Sequence, residues 1–197
     1  MQDFYMYFDL GLHHILDWQG YDHILFVMAL CGIYTIKDWK QVLILVTAFT
    51  IGHSVTLALS VFNIVQFSTK IIEFLIPVTI LITAFSNIIG KRSKPKNINL
   101  KYFLALAFGF IHGMGFSNYL KSLLGKSSSI IVELFAFNIG LEVGQVLIVI
   151  STLVFAFILT SIVKIKLWDW TFFLSSAIFG IAFIMAAERL PALLQFL

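Results

Sequence analysis

Five histidines lie along this chain, and they and two of its carboxylates fall inside or against apolar runs: His13, His14, Asp22, His23, His53, His112 and Glu142. An ionisable group in hydrocarbon is costly and persists where it pairs, binds an ion or lines a wet cavity. Imidazole with carboxylate is also the usual ligand set for divalent transition metals. The residue types therefore point to a metal site within a membrane protein. The lone cysteine, Cys31, sits in an apolar run, so the chain offers neither an intrachain disulfide nor a thiolate metal site.

The elements that must hold these groups are membrane helices. The chain has 197 residues, is 60% hydrophobic and only 12% charged, and has a mean hydropathy of +0.98. A soluble domain is closer to half apolar and a quarter charged. Six apolar runs, near 20–36, 41–62, 71–90, 102–120, 133–160 and 170–189, have or approach the length that crosses a bilayer. They are too long and too continuous for barrel strands, which alternate. The sequence predicts an all-α polytopic bundle of about six transmembrane helices, one transmembrane domain over residues 1–197. Pro77 is expected to kink the third span.

Loop charge orients the bundle. Lys37, Lys40, Lys91, Arg92, Lys94, Lys96, Lys101, Lys164 and Lys166 fall on one side, against Lys70, Lys121, Lys126 and Arg189 on the other. The positive-inside rule makes the richer side cytoplasmic and places both termini outside. The net charge of +3 thus reads as topology, not as a nucleic-acid surface. Residues 1–19 carry Asp3, Asp9 and Asp17 without lysine or arginine. They are expected to form an outer-surface segment, with an amphipathic helix over residues 3–18 ended by Gly20. No basic n-region marks a signal peptide.

Topology converts position into depth. At ~1.5 Å per residue, His53, His112 and Glu142 each lie roughly 12–13 Å below the outer surface, on three different spans. Thr50, His53, Thr56 and Ser60 form one polar stripe, as do Asn138, Glu142 and Gln145. Gly109 and Gly113 flank His112, and Gly140 and Gly144 flank Glu142. Small residues at that interval let helices approach closely. Each group also has a plainer role open to it. His53 could link helices by a hydrogen bond. Asp22 could cap a helix start. His13 is best explained as decoration of a surface helix.

Four segments carry a resemblance: GLHHILDWQGYDHILF (11–26), FTIGHSVTLALS (49–60), FGFIHGMGF (108–116) and FNIGLEVGQ (137–145). In this order they resemble the HupE/UreJ family of bacterial membrane proteins, in its divergent second branch. The resemblance implies a multi-pass nickel or cobalt permease of the bacterial inner membrane. Its motif positions here are His14, Asp22, His23, His53, His112 and Glu142 as metal ligands. Ser54, Thr56, Asn138 and Gln145 are pathway or supporting groups. Spans three and six carry no matching motif and are expected to serve as scaffold.

The leading expectation is uptake of Ni²⁺, or of Co²⁺, with the metal ion and the lipid bilayer as partners; a homo-oligomer stays open. The first rival is an intramembrane zinc-dependent hydrolase acting on a lipid or membrane peptide. Three histidines and a carboxylate can hold Zn²⁺ with an open position for water, although no HExxH motif occurs. The second rival is a metal sensor or accessory membrane subunit. Since the inner half of the spans shows no ionisable residue, the path of an ion beyond the site is not visible in the sequence.

Overall fold

The computed structural model describes residues 2–90, 98–124 and 130–196. The loop lysines and arginine at 91, 92, 94, 96 and 126 lie outside the described residues. Among the described residues the protein is all helical: α1 (Gln2–Leu16), α2 (Asp22–Cys31), α3 (Trp39–Val61), α4 (Thr69–Ile89), α5 (Ile98–Leu124), α6 (Ile130–Phe157) and α7 (Leu167–Leu194). A short 3-10 turn, Ile36–Asp38, leads into α3, and a π turn, Ile158–Ile162, extends α6. Thr35 and Asp38 cap the entry to that 3-10 turn reciprocally. Five helices, α3 to α7, are long and apolar enough to cross a membrane. Their outward faces are apolar, with Phe103, Phe135 and Phe173 among the exposed side chains, as suits a helix set in lipid.

Glycines set the two tightest helix pairs. Along α3 and α5, a Cβ at Gly52 would collide with the backbone of Leu106, and one at Gly109 with that of Phe49. Along α1 and α6, a Cβ at Gly11 would strike the carbonyl of Phe137, and one at Gly140 the carbonyl of Phe8. These are backbone-to-backbone approaches that side chains elsewhere prevent.

The first crossing differs from the single span expected over 20–36. Only Asp22–Cys31 is helical there, and ten residues rise about 15 Å, half of the hydrocarbon thickness. Residues 1–19 hold α1, which buries Tyr7, Gly11 and Ile15 along one face and leaves Asp9 and His13 exposed. That face runs beside α6 in the same direction: Phe8 meets Gly140, and Ile15 meets Gly144. The chain breaks over 17–21, a stretch with Asp17, Gly20 and an exposed Trp18. It resumes as α2, whose far end is fastened by Asn87 Nδ2 donating to the Ala29 carbonyl (2.7 Å) and Thr171 Oγ1 donating to that of Gly32 (2.8 Å). The pair α1 and α2 together spans what one long helix spans elsewhere in the bundle.

Pro77 lies within α4 without interrupting it. Proline has no N–H for the carbonyl four residues earlier. That carbonyl, of Glu73, instead accepts from Nη1 of Arg189 on α7 at 2.7 Å. The sixth span thus does more than fill space.

Candidate metal centre

The break between α1 and α2 is where the histidines meet. His14 stands in the last turn of α1, and Asp22 and His23 open α2. His53 comes from α3 and His112 from α5. One ligand atom each from His14, His23 and His53 lies within 4.8 Å of the other two. Three nitrogens at about 2.1 Å from one tetrahedral ion would be about 3.4 Å apart, so small ring rotations close the gap. Ring centroids are 4.7 Å apart for His14 and His23, 5.8 Å for His23 and His53, and 5.0 Å for His23 and His112.

The group is largely buried and most of its ring nitrogens are unsatisfied. His23 is 4% exposed, and His53 and His112 are 0% exposed. Phe116 lies against His14, with centroids 3.9 Å apart, and Phe26 and Phe49 flank His112. His14 Nε2, His23 Nε2 and both ring nitrogens of His53 are buried without a hydrogen-bond partner. Each such orphan costs about 1–3 kcal/mol. Several of them converging on one volume is what a cation would relieve.

Asp22 sits behind His23. Its Oδ1 accepts from the His23 backbone N–H at 2.8 Å and lies 2.8 Å from His23 Nδ1. The second contact has ion-pair distance without hydrogen-bond direction, since Nδ1 makes no hydrogen bond. The carboxylate is thus held at the first turn of α2 by the backbone N–H and lies beside the ring.

Glu142 does not join the three-histidine group. It is half-buried, and its Oε1 accepts from Thr47 Oγ1 at 2.8 Å. Thr47 lies six residues before His53 on α3, so the carboxylate meets α3 almost two turns away from the imidazole. One turn nearer, Thr50 Oγ1 lies 2.6 Å from Gln145 Oε1. Two rungs, Thr50 with Gln145 and Thr47 with Glu142, therefore link α3 to α6 one turn and almost two turns along α3 from His53. Ser54 and Thr56 turn back on their own helix, donating to the carbonyls of Thr50 and Gly52. Asn138 Oδ1 is buried without a partner. His13 stays apart, exposed and against Asp9.

The family model described as HupE / UreJ protein matches residues 1–189. The chain belongs to the HupE/UreJ family. Comparison with curated proteins and with solved structures gave no match. In this HupE/UreJ protein the four motif segments converge: the first supplies both sides of the helix break, the second His53, the third His112, and the fourth the two rungs and the glycine seat for α1.

Two contributors come from outside those segments. Thr79 of α4 lies 2.9 Å from His112 Nε2, so the third span reaches the site as well as bracing it. Its signal was present as Thr79, Thr83 and Asn87, spaced four apart and all buried. Thr47 extends the stripe of Thr50 and His53 by one more turn, and its proximity to Glu142 required the crossing of α3 and α6 to be known.

Proposed function

We propose that this HupE/UreJ protein takes up a divalent transition-metal ion, Ni²⁺ first and Co²⁺ second, across the bacterial cytoplasmic membrane. The observation that carries the proposal is the group of His14, His23 and His53, with ligand atoms within 4.8 Å of one another at the break between α1 and α2. Broken helices with binding groups at the break are a recurrent device of membrane transporters. Neutral imidazoles suit Ni²⁺ and Co²⁺, and the family association with nickel and cobalt uptake agrees. The acidic residues of α1 (Asp3, Asp9) would gather cations on the periplasmic side. The ion would be stripped of water by His14 and His23 and held with His53, with Gln145 and Glu142 as polar neighbours on α6.

Radiolabelled nickel uptake into proteoliposomes tests this. The wild type should accumulate label, and His23→Ala and His53→Ala should reduce accumulation to the level of empty vesicles. Stoichiometric binding with no entry into sealed vesicles would reject transport and favour the zinc-dependent hydrolase.

A further inference from the structure

His112 stands beside the three-histidine group without belonging to it, and its hydrogen bonding says which of its nitrogens is free. Thr79 Oγ1 lies 2.7 Å from the carbonyl oxygen of Ile76 and 2.9 Å from His112 Nε2. A carbonyl oxygen cannot donate, so the single hydroxyl proton of Thr79 is committed to Ile76. The contact to His112 then needs its proton from the ring, and Nε2 must carry it. A neutral imidazole has one N–H and one lone pair. The lone pair is therefore on Nδ1, which is buried and has no partner. His112 is 0% exposed, and its nearest polar ring is that of His23 at 5.0 Å.

The family resemblance already implies His112 as a ligand; we infer that Thr79 is the positioning residue that fixes its tautomer and ring orientation, so that His112 would bind the ion through Nδ1. The inference rests on the metal-site reading above and adds to it a ligand atom and an orienting residue on a different helix. A site of four neutral nitrogens and no bound carboxylate favours Ni²⁺, Co²⁺, Zn²⁺ and Cu²⁺ over Mg²⁺ and Ca²⁺, which seek oxygen. It also ties α4 to the ion, so that α1, α2, α3 and α5 supply ligands and α4 aims one of them.

The test is Co²⁺ binding to the purified full chain in detergent, read by affinity and by ligand-field absorption at saturating metal. Thr79→Val should weaken binding roughly tenfold to a hundredfold and shift the saturated spectrum toward that of His112→Ala. Thr79→Ser, which keeps the hydroxyl, should restore both. A Thr79→Val protein with wild-type affinity and spectrum overturns the role of Thr79. A His112→Ala protein with wild-type binding overturns the fourth donor. Ring-nitrogen NMR of the metal-free wild type, with the His112 signal identified by its loss in His112→Ala, should show the proton on Nε2; a proton on Nδ1 overturns the inference without reliance on Thr79→Val folding. A wild type that binds no Co²⁺ overturns the metal site itself, an outcome distinct from wild-type binding that Thr79→Val leaves unchanged.

Discussion

His14 and His23 face each other across the break between α1 and α2, with ring centroids 4.7 Å apart. Only nine positions separate them in the chain, yet they end and begin different helices. A continuous helix would hold residues nine apart about 13 Å from each other along its axis. The break at 17–21 is what lets one segment of chain contribute two imidazoles to one ion.

Binding should register as stability. A ligand that binds only the folded state stabilises it by about 2.7 kcal/mol at a hundred times its dissociation constant. Ni²⁺ should therefore raise the unfolding temperature of the wild type. His53→Leu should abolish that rise while making the metal-free protein more stable, by about 1 kcal/mol or more, because two orphaned nitrogens leave a fully buried position. Thermal unfolding in detergent with and without Ni²⁺ measures both effects; a metal-free His53→Leu protein less stable than wild type would count against an unsatisfied site.

The α1 and α6 contact should be as necessary as the ligands. Gly11→Val places its branched side chain against the Phe137 carbonyl and should cost about 1–3 kcal/mol through overpacking. It should also push His14 out of the group and weaken Ni²⁺ binding, although Gly11 touches no ligand. Isothermal titration of Gly11→Val beside Leu10→Val, a change on a half-buried neighbour, separates this from a general loss of packing.

Glu142 is expected to act on movement more than on capture. Glu142→Gln keeps an acceptor for Thr47 Oγ1 and removes a charge. Nickel affinity at the histidines should stay within about threefold, as expected of a group lying apart from them. Uptake into proteoliposomes should fall severalfold or more. Equal losses in affinity and uptake would place Glu142 on the primary site instead.

Arg189 and Pro77 should be energetically coupled. Arg189→Ala leaves the Glu73 carbonyl without its donor, at a cost of about 1 kcal/mol. Pro77→Ala restores an N–H that can reach the same carbonyl within α4. In the Pro77→Ala background, Arg189→Ala should then cost little, and a double-mutant cycle on unfolding free energies reads the difference. Additive effects would mean that the guanidinium serves another partner.

Hydropathy and charge were enough to indicate a helical membrane bundle, because lipid admits few other structures to a chain this apolar. Counting depth along spans two and four put His53 and His112 at one level, since helical rise is constant, and both rings do lie beside that of His23. Tertiary structure decided the rest. The descent of α1 beside α6 depends on two glycine faces meeting, and composition alone does not say which faces meet. Glu142 fell to a different rung from His53 because the direction in which α6 presents a side chain is set by its crossing with α3, not by its depth. Thr79 came to His112 through the packing of α4 on α5, a relation between distant segments that leaves no mark in either one's periodicity.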